Sequence, residues 1–362
     1  MHRMNREQFF SAMAGLDEDQ LRKALWNLYW RGSAAIRERI EAELAPGDAR
    51  SRSREVARSV DPREVLDEVR EFVSLARSGS YMAGDRRVSP RERTRWRFTF
   101  KRLVTQSRQA LLADDFASGA AAMAAVIDLA CECRGYDYFH SDDPVEAAGL
   151  VVSDEVALLW DRTLKRSGFP VFAKDAAEQL VRWESRFGWT RRGFGRVSEK
   201  EAPLADVLAR MLSVHDAWIT VTDCYLSALD QVVSAPAGQN RSWRTASRQR
   251  DVRTQELARW HLLLLDRFAD DADAAGLLGR LAAHPALGGP ELTFLRSMLA
   301  HRRGDTDHAR SLVHDSLCTL PGHQGFLDFA HEIGAPLPPR ARQIAEERLR
   351  WDPTGTGVRG GT

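Results

Sequence analysis

The amino-acid sequence predicts an all-α protein built from paired helices, and three observations support this prediction. At five places a helix-capping side chain is followed three residues later by Glu or Gln, a pattern that satisfies the free backbone amides of a first helical turn. Between these starts, apolar residues recur at helical spacing, and no segment alternates apolar and polar residues as a strand does. Near the C-terminus, two stretches match at an offset of 34 residues, the period of a helix–turn–helix repeat.

The capping pairs mark where the predicted helices begin. Three of the five also carry proline at the first helical position, where a missing N–H costs nothing. The pairs are Asp17 with Gln20, Asp61 with Glu64, Ser89 with Glu92, Asp143 with Glu146, and Ser198 with Glu201.

These starts and the intervening loops divide the chain into four parts. We expect a small helical module at 1–44, a polar linker at 45–60, a helical-repeat domain at 61–352 and a disordered tail at 353–362. The module should hold about three short helices within residues 5–44. In the domain we expect helices at 61–78, 89–113, 115–134, 144–168, 173–188 and 199–233, an aromatic loop at 136–142, a second loop at 234–240, and further helices to about 350.

The 34-residue offset aligns Asp271, Asp273, Ala275 and Leu278 with Asp305, Asp307, Ala309 and Leu312, and Leu265 with Leu299. Residues 291–321 resemble a tetratricopeptide repeat: Gly304 and Asp305 fit the turn between the two helices, Ala309 fits the small position where the helices touch, and Pro321 fits the closing proline. Residues 257–285 and 107–130 resemble it more loosely, the latter through Gly119 and Ala122 at close-packing positions.

The resemblance implies a right-handed superhelix of helix–turn–helix pairs, an α-solenoid whose concave face holds a peptide or another protein. The repeat core would then consist of Leu265, Ala275, Leu278, Leu299, Ala309 and Leu312. An irregular helical bundle is the alternative architecture.

Composition narrows the functional classes. The hydrophobic share is 43%, the charged share 28% and the formal net charge +1, so there is no general attraction to nucleic acid or to an anionic membrane. No secretory signal is visible at the start, the four cysteines form no disulfide framework, and the most apolar run is too short to span a bilayer. We therefore expect a soluble cytoplasmic protein.

The sequence contains no recognisable catalytic or cofactor motif. Phosphate-binding loops, a dinucleotide fingerprint and a nucleophile elbow are all missing. The pair Cys131 and Cys133, with His140, Asp142 and Asp143, contains metal-binding residue types, but the spacing matches no standard zinc site and Asp143 already caps a helix. We expect a protein without enzymatic activity, cofactor or metal.

Three segments mix arginine with aromatic residues, at 86–102, 186–196 and 241–253. If they converge, they make an anion-binding surface; otherwise the tryptophans face the core while the arginines reach solvent and pair with acids. The aromatic loop is either a binding edge or a plug in the core. The candidate partner-binding residues are Arg91, Arg95, Arg102, Arg191, Arg192, Arg244, Tyr136, Tyr138 and Phe139.

The sequence thus predicts a non-enzymatic helical-repeat scaffold that binds a protein or peptide partner in a groove, and the arginine segments would suit an acidic partner. The alternative is an arginine-grooved helical protein that binds nucleic acid.

Overall fold

The structure is a computed structural model that describes residues 15, 17–31, 60–82, 87–234, 243–268, 271 and 274–351. The described residues contain sixteen α-helices and no strand, which confirms the all-α prediction. The described residues do not include the predicted tail, the linker apart from residue 60, or most of the N-terminal module. The chain divides into two compact units, Met1–Val60 and Asp61–Thr362.

In the first unit, the structure describes one helix, α1 (Glu18–Arg31). Its start follows the predicted capping pair, because the Asp17 amide donates to the Gln20 side chain at 3.1 Å and the Gln20 amide donates to Asp17 at 2.7 Å. The rings of Trp26 and Trp30 stack at 5.7 Å and are mostly exposed.

The second unit contains the other fifteen described helices. Most of them begin at a side chain that caps the first turn, at a proline or at a glycine. They are α2 (Pro62–Arg77), α3 (Pro90–Ala110), α4 (Phe116–Glu132), α5 (Pro144–Ala148), α6 (Val152–Ser167), α7 (Phe169–Trp183), α8 (Leu204–Met211), α9 (His215–Ser234), α10 (Trp243–Glu256), α11 (Ala258–Phe268), α12 (Ala275–Ala282), α13 (Gly289–Arg302), α14 (Thr306–Thr319), α15 (Gln324–Glu332) and α16 (Pro339–Trp351).

Two long predicted helices are interrupted. The helix expected at 144–168 breaks at Gly149, whose φ of +66° is left-handed, so it becomes α5 and α6. The helix expected at 199–233 becomes a short 3₁₀ turn, α8 and α9. Its predicted start was wrong because the Glu201 carboxylate accepts from the amides of Val152 and Ser153 at the start of α6 and does not pair with Ser198.

Helices of the second unit pack mainly on near neighbours in the chain. Within its described residues, every extensive helix–helix contact joins elements no more than three positions apart; the largest are α13 with α14, α2 with α4, and α7 with α9. α13 and α14 pack across the turn at Gly304, and Asp305 caps α14 by accepting from the His308 amide at 3.2 Å.

The predicted repeat core is largely buried. Leu265, Leu278, Leu299 and Ala309 are 5% exposed or less. Ala275 and Leu312 are only half-buried, so they lie at the edge of the fully buried core.

In both cases the residue next to the predicted one is fully buried. α12 begins at Ala275, and the buried residue is Ala274 just before it. In α14 the buried face follows steps of four from Ala309 through Val313 to Leu317, and this leaves Leu312 one residue off that face.

None of the described helices combines the length and the apolar character needed to cross a membrane.

Candidate partner-binding surface

α3 is an amphipathic helix with a firmly capped start. The Ser89 hydroxyl accepts from the Glu92 amide at 3.3 Å, and the Glu92 carboxylate accepts from the Ser89 amide at 3.1 Å, as the sequence predicts. Hydrogen bonds from the Ser89 side chain and then its backbone lower the pKa of Glu92. Trp96 and Phe100 lie on the buried face, so the opposite face is directed to solvent.

We call the outward row Arg91, Arg95, Phe98 and Arg102 the α3 stripe. Steps of four, three and four residues return to nearly the same direction on a helix, so these side chains lie above one another. Phe98 is 60% exposed. The Arg97 guanidinium lies 4.8 Å from the centroid of the Phe98 ring.

The stripe differs along its length in how its charges are compensated. Arg102 donates to Glu68 on α2 and to Gln106, each at 2.7 Å. Arg91 and Arg95 are exposed and make no ion pair with any residue that the structure describes. The predicted row of three arginines therefore consists of two available cations and one that is shared with α2.

The aromatic loop after α4 divides its side chains between the core and solvent. Phe139 is 1% exposed and its ring stacks on Trp96 of α3 with centroids 4.3 Å apart; Phe72 and Tyr81 lie within 5.7 Å. Its assignment as a partner-binding residue was therefore wrong, because Phe139 fills the core between α2 and α3.

Tyr136 is the outward residue of the same loop and is 63% exposed. Its ring stacks on Tyr138 with centroids 5.7 Å apart, and the Tyr138 hydroxyl donates to Glu132 at 3.1 Å. Partial burial and that hydrogen bond raise the pKa of Tyr138 to about 12. Tyr138 supports the loop, while Tyr136 is its accessible ring.

Arg191 fixes this loop from the second arginine segment. Its guanidinium donates to the carbonyls of Cys133 and Tyr136 and to the Asp137 carboxylate, each at 2.6 Å. The side chain is 22% exposed, so these contacts occupy it. We expected Arg191 to contact a partner; the structure instead gives it the role of holding the aromatic loop.

Arg192 is exposed and its guanidinium donates to the Asp142 carboxylate at 2.6 Å. Its backbone amide donates to Asp143 at 3.3 Å. The charge of Arg192 is therefore compensated within the chain. In the same segment Trp189 is buried, whereas Phe187 and Phe194 are exposed.

Carboxylates organise the irregular stretch at 184–203. Glu184 accepts from the amides of Ser185, Leu204 and Ala205 at 2.6 to 3.2 Å and so caps α8, while burial raises its pKa to about 7. The sequence analysis missed this role, because Glu184 is twenty residues from the helix start that it caps.

The third arginine segment lies at α10. The side chain of Arg244 lies outside the described residues. The end of α10 meets the second segment, since the Glu256 carboxylate accepts from Arg134 at 3.3 Å and from the Arg186 amide. Arg186 also pairs with Glu291 of α13 at 2.7 Å.

Contacts therefore join the first two segments through the aromatic loop. Trp96 of α3 stacks on Phe139, and Arg191 clamps the residues just before it. Most arginine charge in the second segment is compensated by Asp137, Asp142 and Glu291. On α3, Arg97 and Lys101 also lack an ion pair with any described residue.

The residue types proposed for metal binding do not assemble. No group of three or more His, Cys, Asp or Glu with metal-binding geometry occurs among the described residues. Burial raises the pKa of Cys133 to about 12 and raises that of Cys131 as well, so both thiols are held in the unreactive protonated form.

Comparison with protein-family models, with curated proteins and with solved structures finds no match for this chain.

Proposed function

We propose that this protein is a non-enzymatic helical-repeat scaffold that binds an acidic protein or peptide partner on the outward face of α3. The α3 stripe carries the proposal. Arg91 and Arg95 lie one helical turn apart, are exposed, and have no acidic partner among the described residues, whereas Arg102, Arg186 and Arg192 are each paired within the chain.

The packing pattern supports a repeat-type scaffold. In a helical array each unit packs on its neighbours in the chain, and the extensive helix contacts within the described part of the second unit have this local character. Ala309 is fully buried where α14 packs, and Gly119 of α4 lies directly against the backbone at the end of α3. Both are positions where the resemblance requires a small residue.

The aromatic loop supports a protein partner. Tyrosine supplies a large, rigid contact area at low entropic cost and is enriched in protein interfaces. Tyr136 can supply such a contact, because the Arg191 guanidinium donates to the backbone carbonyls of Cys133 and Tyr136 and so fixes the position of the loop. Its ring is accessible in a loop whose neighbour Phe139 stacks on α3.

The test is selection of binders from a random peptide-display library with the purified chain. We expect acidic sequences to be enriched. Exposed ion pairs are worth about 0.2–1 kcal/mol each, so Arg91→Gln with Arg95→Gln should weaken the selected peptides about 2- to 30-fold and reduce the salt dependence of binding.

A matched control removes the same charge elsewhere. Arg166 of α6 and Arg210 of α8 are also exposed, and changing both to Gln should leave peptide affinity unchanged. Enrichment of peptides without acidic residues, or equal loss in the two double variants, would refute the proposal. Preferential binding of single-stranded nucleic acid in a parallel selection would favour the alternative function.

A further inference from the structure

We propose that Phe98 is the apolar anchor of the α3 stripe, so that the partner presents an acidic segment carrying an apolar side chain and not a bare polyanion. This inference rests on the proposed function and specifies the chemistry of its partner. It makes Phe98 a specificity-determining residue, while Arg91 and Arg95 supply the electrostatic attraction.

The position of Phe98 is the first argument. Of the three aromatic residues in this part of α3, Trp96 and Phe100 are 5% exposed or less, whereas Phe98 is 60% exposed. It lies on the stripe between Arg95 and Arg102, about 10 Å along the helix axis from Arg91 at 1.5 Å per residue. A segment that contacts Arg91 and Arg95 and extends about 4.5 Å further along the helix therefore covers the ring.

The electrostatics of the ring supply the second argument. The face of an aromatic ring is negative and attracts cations, and Arg97 lies close to the ring at 4.8 Å. A carboxylate or phosphate placed over the remaining face would meet that negative potential. An apolar side chain carries no such cost and removes apolar surface from water, so a mixed acidic and apolar segment fits the stripe better than a uniform polyanion.

The length of the cationic patch is the third argument, and it favours a peptide over a nucleic acid. The exposed face of the neighbouring α2 carries Glu64, Asp67, Glu68 and Glu71, and Glu68 already pairs with Arg102. Within the stripe the uncompensated arginines are Arg91 and Arg95, and beside it Arg97 and Lys101 also lack an ion pair with any described residue. A long phosphate backbone that continued along the stripe to Arg102 would meet the carboxylate of Glu68, whereas a short acidic peptide ends before it.

The experiment measures fluorescence anisotropy at low salt with three labelled probes of equal length. The probes are a peptide that alternates glutamates with leucines, an oligo-glutamate, and an oligothymidylate. We expect the mixed peptide to bind the parent protein most tightly. Phe98→Ser should weaken the mixed peptide roughly tenfold, a typical effect of a central aromatic contact, and should leave oligo-glutamate binding unchanged.

Two further variants control for fold and for general stickiness. Phe98→Leu keeps an apolar side chain and should retain most of the affinity. Phe187→Ser removes a phenylalanine of similar exposure, 62%, that also lies beside an arginine, with the Arg186 guanidinium 5.6 Å from the ring centroid. This variant should bind the mixed peptide as the parent does.

The outcomes separate this inference from the proposed function. If Phe98→Ser changes neither peptide while Arg91→Gln with Arg95→Gln weakens both, the anchor is refuted and the acidic-partner function stands. If neither peptide binds the parent protein, both proposals fail. If oligothymidylate binds most tightly and Phe98→Ser abolishes its binding, the ring stacks on bases and the peptide inference is overturned.

Discussion

Replacing Gly119 by alanine should destabilise the protein, because Gly119 is where α4 approaches the end of α3 most closely. A Cβ atom at this position would lie 2.5 Å from the carbonyl oxygen of Ala110, 2.6 Å from its carbonyl carbon and 2.9 Å from the amide nitrogen of Leu111. All three atoms belong to the backbone, and both residues are fully buried, so no side-chain rotation can relieve the overlap.

The size of the effect follows from the displacement that is needed. Ordinary contacts of a Cβ begin near 3.4 Å, so α4 would have to move by about 0.9 Å against the core it shares with α2, α3 and α6. Overpacking of this kind costs about 1–3 kcal/mol, and alanine returns about 0.5–1 kcal/mol through its higher helix propensity. Because the overlapping atoms are backbone and cannot rotate aside, the cost lies in the upper part of that range, and we expect a net loss of about 1–2.5 kcal/mol in the free energy of unfolding.

Urea unfolding followed by circular dichroism measures this loss as a lower midpoint with an unchanged slope. Gly279→Ala in α12 is the matched control, because no atom lies within 4 Å of its added Cβ; it should raise stability by about 0.5–1 kcal/mol. If Gly119→Ala is as stable as the parent or more so, α3 and α4 do not approach as the structure has them.

Three further predictions concern burial and ionisation. Ala309→Glu should lower the free energy of unfolding by about 3–5 kcal/mol, because it buries an unpaired charge. Thermal unfolding would show this as a large drop in Tm, and an unchanged Tm would place Ala309 on the surface. The pKa of Glu184 is raised to about 7, so the protonated carboxyl stabilises the folded state fully below about pH 4.5. This stabilisation is lost as the pH rises to about 7, at about 1.4 kcal/mol per pH unit. Glu184→Gln should remove this pH dependence from the free energy of unfolding. Burial lowers the pKa of His261 to about 3, so the neutral imidazole stabilises the folded state above about pH 6.5, and this stabilisation is lost as the pH falls toward 3. His261→Gln should make the fall of the unfolding free energy with decreasing pH less steep. The same pH dependence in parent and variant would contradict a buried neutral imidazole.

The helix starts show how much of the fold could be predicted from local sequence. A capping pair acts within one turn, and the reciprocal pairs at Asp17 and Ser89 occur in the structure. Asp143 likewise caps α5 by accepting from the Glu146 amide at 3.2 Å. The prediction failed at Ser198, where the acidic residue of the pair is taken by the amides of another helix.

On the α3 stripe, too, local sequence predicted some features correctly and could not predict others. Periodicity on α3 predicted that Arg91, Arg95 and Arg102 share a face and that Trp96 and Phe100 are buried, because helical geometry alone fixes those relations. It could not predict that Glu68 of α2 pairs with Arg102, since that contact joins residues 34 positions apart.

By itself, the sequence determined the helical class, the bounds of α2, α3 and α4 to within a few residues and the two faces of α3, because capping and amphipathic spacing act over one or two turns. Only the tertiary structure decided that Phe139 fills the core, that Arg191 clamps the aromatic loop, and that the carboxylate of Glu184 caps a helix twenty residues away. The physical reason is that a buried ring, guanidinium or carboxylate takes whichever partners the folded chain brings within reach. Those partners are set by the packing of whole helices and not by neighbouring residues in the sequence.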